Sequence, residues 1–297
     1  MSLSDSGTSP DLIALALTED LGGERGAGRL GDVTSEAFIA ASSQSCARVI
    51  ARSPCIASGL DTATEVFSRI DQALEVSALC KEGASLSRDA VVLEIRGATR
   101  SILAAERTAL NFLGRLCGIA TLARRYADAV RGTGVKLLDT RKTTPGWRVL
   151  EKQAVKAGGC SNHRIGLYDA VLVKDNHLAS LGDLRLLPPV IARLRNEHPG
   201  LPIEIEADTL LQAELLMAMQ GIDVILLDNM SCVMLRQAVV LRDSIAPALL
   251  LEASGGITLE NVSAIAATGV NRISVGALTH SAPNADLSLE LEDVRQS

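Results

Sequence analysis

The apolar positions change rhythm twice along the chain. From Leu12 to Leu21 they recur at helical spacing behind Ser9-Pro10-Asp11, which supplies a capping side chain, a proline for the first turn and an acid near the positive end of the dipole. Gly22-Gly23 ends that helix, and a glycine-rich stretch up to Gly31 leads into Asp32-Val33-Thr34. Between Cys46 and Arg100 the runs are short and mixed, with turn signals at Lys81-Glu82-Gly83 and Ile95-Arg96-Gly97. This texture predicts a small α+β unit with a half-covered sheet. A long helix is expected from about Leu103 to Val130, with Leu110, Leu113, Cys117 and Ala120 at helical spacing. On it Arg107, Asn111 and Arg115 share one face, and Gly114 and Gly118 leave room for another backbone to approach.

Beyond residue 130 the pattern becomes six short apolar runs separated by helical stretches. The runs are Val135–Thr140, Ala170–Lys174, Ile203–Ala207, Val224–Asp228, Leu249–Ala253 and Arg272–Gly276. The intervening helices include Leu210–Met219, ending at Gly221, and Leu259–Ala267, ending at Gly269. Continuous apolar strands alternating with helices predict a parallel sheet covered on both faces, or a barrel. Each run turns polar at its carboxyl end, with Asp139 to Lys142, Lys174 to His177, Glu204 and Glu206, Asp228-Asn229, Glu252 to Gly256, and Ser274 to Gly276. In α/β barrels the active site is built at that edge. A single charged strand end means little; six in succession point to a site.

Composition narrows what such a site can serve. Aromatic residues are only 2% of the 297, which argues against single-stranded nucleic acid and its stacking platforms. A net charge of −6 offers no overall attraction to nucleic acid or anionic lipid. An anion must therefore be held locally, and residues 135–177 carry eight Lys or Arg against four Asp or Glu. Arg141, Lys142, His163, Arg164 and Lys174 lie at strand ends or in the loop between them. Arginine forks suit carboxylates and phosphates, and lysine adds a point charge.

Two small-residue turns, Ser254-Gly255-Gly256 and Ser274-Val275-Gly276-Ala277, follow neighbouring late strands, where barrels commonly bind phosphate. Thr258 is expected to cap the helix after the first turn. Glu206 and Asp228 stand opposite in sign, fitted to hold Mg²⁺ or ribose hydroxyls, or to pair with the lysines. Lysines at strand ends also suit a Schiff-base lyase, and a non-catalytic anion sensor could use the same cleft. The opening ten residues show neither a basic stretch nor an apolar core of a signal peptide and read as a loose tail. The six cysteines have no metal-ligand spacing and read as reduced thiols of a cytoplasmic protein.

Several segments together resemble one family. Glu106 to Asn111, Leu138 to Gly146, Asn162-His163-Arg164 and Lys174 to His177 resemble quinolinate phosphoribosyltransferases, the carboxylating nicotinate-nucleotide pyrophosphorylases. So do Ser254 to Ile257, Ser274 to Ser281, Glu19 to Gly22 and Gly31 to Thr34, in order along nearly the whole chain after residue 10. Three departures stand out: Gly23 to Leu30 is an insertion, Trp147 stands where leucine is usual, and Cys160 where glycine is common. The insertion is expected to be a flexible surface loop. The Glu206–Asp228 stretch is also one residue longer than usual, so Glu204 competes with Glu206 for one role.

The resemblance implies an N-terminal α/β sandwich domain over residues 1–118, completed by 278–297, and an incomplete α/β barrel of about six parallel strands over 119–277. It implies a homodimer with shared sites, and transfer of phosphoribosyl from phosphoribosyl pyrophosphate to quinolinate with Mg²⁺, releasing pyrophosphate and CO₂. A related transferase acting on another aromatic acid is the alternative. By matched position, Thr140, Arg141, His163, Arg164, Lys174 and the partner subunit's Arg107 would hold quinolinate. Lys142, Glu206 and Asp228 would be catalytic on the phosphoribosyl pyrophosphate side, the last two beside the metal. Ser254, Gly255, Gly256, Val275, Gly276 and Ala277 would hold phosphate.

Overall fold

The computed structural model describes residues 11–22 and 31–292. The expectations for the first ten residues and for the Gly23–Leu30 insertion fall outside the described residues. The chain separates into two compact units: residues 1–123, 144–159 and 282–297 in the first, and 124–143 with 160–281 in the second.

The first unit opens with α1 (Leu12–Leu21) and α2 (Val33–Phe38). Asp11 caps α1, because its carboxylate accepts the Ala14 N–H at 3.1 Å. Next come β1 (Gln44–Ala51), β2 (Cys55–Ile56), α3 (Leu60–Ile70), β3 (Glu75–Ala78), β4 (Ser85–Leu86) and β5 (Val91–Ala98). The main sheet is antiparallel, ordered from the carboxyl-terminal strand Leu287–Glu292 through β1 and β5 to β3. Alternation decides its faces: Ala47, Val49 and Ala51 are fully buried, while Arg48 faces outward and meets Glu94 on β5 at 3.2 Å. That pair is part-exposed and contributes little stability.

Helix α4 (Thr99–Ala129) starts four residues before the sequence suggested. Thr99 is the reason: its N–H donates to the Ser43 carbonyl, and its hydroxyl bonds Ser43 and Ser45. Ile102, Ala105, Ala109, Phe112, Leu113, Leu116, Ile119 and Ala120 form its buried stripe. Gly114 and Gly118 receive a backbone, as expected. The Ala285 N–H donates to the Gly114 carbonyl at 2.8 Å, and a Cβ on Gly118 would overlap the Pro283 carbonyl oxygen.

Helix α5 (Arg148–Ala157) belongs to this unit and supplies the partner of Arg115. Arg115 is not a free functional cation. It grips fully buried Glu151 through Nε at 3.1 Å and a terminal nitrogen at 2.7 Å, while the Thr144 hydroxyl donates to the same carboxylate at 2.8 Å. Trp147, unusual for its position, stacks on Phe112 with ring centres 4.7 Å apart.

The second unit is a parallel sheet of β6 (Lys136–Leu138), β7 (Val171–Val173), β8 (Ile203–Ala207), β9 (Val224–Asp228), β10 (Leu250–Ser254) and β11 (Arg272–Ser274). Its order is β6-β11-β10-β9-β8-β7, all pairings parallel, so every carboxyl end lies on one rim. Six helices accompany these strands: α6 (Asp175–Leu181), α7 (Leu187–Glu197), α8 (Leu210–Met217), α9 (Cys232–Ile245), α10 (Val262–Ala266) and α11 (Ala277–His280). A bridge from Leu138 to Ser161 extends the β6 edge. This is the six-stranded open α/β arrangement expected. No described helix is long and apolar enough to cross a membrane, and the six cysteines form no disulfide.

The Gly118 contact is testable. Gly118→Ala forces α4 and the Pro283 backbone apart, and overpacking of this kind costs about 1–3 kcal/mol. Urea denaturation should show that loss, and an unchanged midpoint would contradict the close approach.

Candidate active site

The rim of the parallel sheet encloses a cavity of about 780 Å³. Thr140, Arg141 and Lys142 come from the end of β6, and His163 and Arg164 from the loop before β7. Lys174 follows β7, Glu206 lies on β8, Asp228 ends β9, Ser254 ends β10, and Gly255 and Gly256 come directly after it. Gly276 and Ala277 follow β11. The structure therefore brings most of the sequence-derived residues together.

Local chemistry explains how the cations stay there. Asp139 is fully buried and spends its carboxylate on the Asn162 amide at 2.6 Å and the His163 N–H at 2.8 Å. These bonds tie the loop carrying Arg164 to the strand end carrying Arg141. Asp169 accepts the N–H groups of Ile165 and Gly166 at 2.7 and 2.8 Å, closing the turn beyond. Arg164 also donates to the Ala170 carbonyl at 3.1 Å. Burial and then the neighbouring Arg141 charge pull the Arg164 pKa down. The Nε of Arg141 is buried without a hydrogen-bond partner. Two guanidinium groups crowded this way favour an anion between them.

His163 faces the other way. Its Nε2 lies 3.0 Å from Glu204 and 3.4 Å from Glu252, both buried. Burial works against the charged ring, but the hydrogen bonds and charges of the two carboxylates outweigh it and push the pKa up to about 9. The Arg164 N–H donates to Nδ1 at 2.8 Å, so full protonation must give up that bond. The ring is thus engaged below the cleft as well as lining it.

Glu204 and Glu206 lie on one face of β8, two residues apart. Glu204 is the deeper one and belongs to His163. Glu206 is the one that meets Asp228: burial and then the Asp228 charge raise its pKa, with Lys174 opposing. Oxygens of Glu206, Asp208 and Asp228 lie within 4.8 Å of one another, an all-carboxylate set suited to a hard divalent ion. A second group, His163, Glu204 and Glu252, is as close but already internally paired.

Several expectations need correcting. Val275 is fully buried, and its N–H goes to the Leu138 carbonyl at 2.8 Å, so the sheet uses it. Thr258 does not cap a helix; its own N–H donates to Asn261, and α10 begins only at Val262. Gly255 and Gly256 thus form a loop, not a helix N-terminus. Of the eight cations between 135 and 177, Arg148, Lys152 and Lys156 lie on α5 in the other unit. Arg107, expected to serve the partner subunit's cleft, is exposed on α4 in that unit.

Sequence reasoning also missed residues. His280 and Asn229 line the cleft. A Cβ on Gly276 would lie 3.1 Å from both His280 Nε2 and Lys142 Cδ, so that glycine makes room for two side chains. Only the period-2 alternation Ile-Glu-Ile-Glu hinted that Glu204 and Glu206 share a face.

Comparison with known proteins gives the same picture. Residues 32–117 match the N-terminal domain, and residues 119–290 the C-terminal domain, of quinolinate phosphoribosyl transferase. The nicotinate-nucleotide pyrophosphorylase [carboxylating] of Mycobacterium leprae is 40% identical over 95% of this chain and 96% of that protein. A quinolinate phosphoribosyltransferase [decarboxylating] of Nicotiana glauca is 37% identical over 95% of this chain and 81% of its own. The crystal structure of nicotinate-nucleotide pyrophosphorylase from Ehrlichia chaffeensis, 35% identical, superposes with a TM-score of 0.87 over 98% of this chain and 100% of that one. The chain belongs to the quinolinate phosphoribosyltransferase family.

Proposed function

We propose that this protein transfers phosphoribosyl from phosphoribosyl pyrophosphate to quinolinate, forming nicotinate mononucleotide, pyrophosphate and CO₂ on the way to NAD. One observation supports it above the rest: Arg141 and Arg164 crowd together in a cleft that also carries Lys142 and Lys174. Such a site is at ease only around a multiply negative ligand, and quinolinate carries two carboxylates. The forks of Arg141 and Arg164 hold them, with Thr140, His163 and Lys174 completing the pocket. Lys142, beside Gly276 and His280, takes the phosphoribosyl pyrophosphate side, with phosphate at Ser254, Gly256 and Ala277.

Glu206 and Asp228, with Asp208, would hold Mg²⁺ or the ribose hydroxyls; the ion, when bound, offsets the charge of the departing pyrophosphate. The pyridine nitrogen attacks C1′ as the bond from C1′ to the pyrophosphate oxygen breaks, and the electron pair leaves with pyrophosphate. The pyridinium formed withdraws electrons from C2, so the bond to the C2 carboxylate breaks, CO₂ departs and C2 takes up a proton. Arginine and lysine side chains supply orientation and charge, and no covalent nucleophile is needed. A Schiff-base lyase would want a desolvated lysine; Lys142 and Lys174 are both exposed. The enzyme works as a cytoplasmic homodimer in which each cleft receives the partner subunit's Arg107.

Four measurements test this. Carboxyl-labelled quinolinate should release CO₂ only when phosphoribosyl pyrophosphate is present, and Arg164→Ala should cut kcat/KM for quinolinate about 10–100-fold, the loss of a charged hydrogen bond. Unchanged turnover at low quinolinate would remove Arg164 from the site. Mixing inactive Arg107→Ala and Lys142→Ala chains should restore activity through hybrid dimers; no recovery despite verified exchange argues against a shared site. By NMR, the His163 ring should titrate above its ordinary 6.5, toward about 9, and Glu204→Gln should lower that midpoint. A raised folded-state pKa contributes stability in full below 6.5 and loses it as pH climbs through about 9. A midpoint at or below 6.5 would contradict the pairing.

A further inference from the structure

Among the described residues only two non-glycine positions have positive φ, Asp89 at 65° and Asn229 at 53°. Asp89 lies in the turn before β5, in the first unit, and is not among the residues lining the cleft. Asn229 directly follows β9 and lines the cleft. Asparagine tolerates this backbone region better than most residues, but not without cost. Its side chain is exposed, so burial of apolar surface does not explain why the strain is kept.

Three tethers converge on it. The Asn229 amide nitrogen donates to Asp228 Oδ2 at 2.6 Å. Its main-chain N–H donates to the Ser254 carbonyl at 2.9 Å, joining the end of β9 to the end of β10. Its amide also lies against Gly255, where a Cβ would stand 2.5 Å from Cγ and 3.0 Å from Nδ2. Gly256 differs: nothing lies within 4 Å of a Cβ placed there. Of the two glycines, only Gly256 leaves open space for a ligand, and Gly255 is small to admit Asn229.

We infer that Asn229 is a positioning residue for the phosphoribosyl pyrophosphate side of the cleft, aiming the Asp228 carboxylate and seating the Ser254–Gly256 turn at one fixed spacing. With Oδ2 committed to the amide, Asp228 keeps Oδ1 for the ligand. The inference rests on the reading that Asp228 serves phosphoribosyl pyrophosphate.

Four variants test it, with steady-state kinetics for both substrates, quinolinate binding in the absence of the co-substrate, and thermal melting. Asn229→Gly keeps the backbone conformation and deletes the amide. It should raise KM for phosphoribosyl pyrophosphate about tenfold or more, as for one lost hydrogen bond to a charged group, while quinolinate binding and melting stay near wild type. Gly255→Ala should also impair phosphoribosyl pyrophosphate use, because its methyl displaces the amide. The double variant Gly255→Ala/Asn229→Gly should recover part of that loss, since the obstructed group is gone. Equal effects on both substrates, no effect of Asn229→Gly, or a double variant no better than Gly255→Ala would each overturn the inference. Asp228→Asn separates the two levels. If it leaves KM for phosphoribosyl pyrophosphate untouched, the placement of that substrate fails; if it impairs the substrate while Asn229→Gly does not, only the role of Asn229 fails.

Discussion

Two guanidinium groups that repel each other are held at one edge of a parallel sheet. Coulomb repulsion between Arg141 and Arg164 strengthens as water is withdrawn, and partial burial has already withdrawn some of it from Arg164. The nearby carboxylates that could quench the pair are committed elsewhere. Asp139 bonds Asn162 and the His163 main chain, and Glu204 with Glu252 faces His163. Among the described residues neither arginine has a carboxylate partner within ion-pair distance. Charge imbalance here is built in, because Asp139 and Glu204 already have competing partners.

The topology makes that imbalance affordable. A sheet with all strands parallel ends every strand on the same rim, so six independent segments can each place one polar side chain without disturbing the apolar strand bodies. Opposite charges are then sorted by strand. Cations come from the ends of β6 and β7 and the loop between them, and most of the carboxylates from β8, β9 and β10. Lys174 stands where the two sets meet, lowering the cost of ionising Glu206. A dicarboxylate and a pyrophosphate ester can lie side by side in such a cleft without facing the same wall.

This explains how much could be read from the sequence. Strand–helix alternation and polar strand ends depend on local period and burial, and the chain follows both: Ile203–Ala207 and Val224–Asp228 are strands with the bounds expected. The partners of Arg115 and Val275 were not legible, because a sequence lists charges and turns without what they meet. Arg115 meets a glutamate 36 positions away, and the Val275 N–H serves a strand 137 positions earlier. The Glu204–Glu252 pairing on His163 was equally invisible, since three strand ends must assemble before those groups meet. Thr258 fitted the pattern of a cap, but the helix begins only at Val262, with Asn261 at the capping position.

Glycine shows most clearly where pattern stops and packing begins. A motif glycine announces that a side chain would not fit, but not what occupies the space. Gly118 yields to a main-chain carbonyl, Gly276 to Lys142 and His280, Gly255 to the Asn229 amide, and Gly256 to none of the protein's own atoms. Reading Ser-Gly-Gly as a single phosphate cradle merges two different constraints. One glycine is small so that the protein can fit itself, the other so that a ligand can approach. A turn must meet the first condition before it can offer the second, because an unseated loop presents its N–H groups in no fixed direction. The spacing between β9 and β10 therefore comes before any ligand contact the turn can make, and the residue that sets this spacing belongs to the machinery of the cleft.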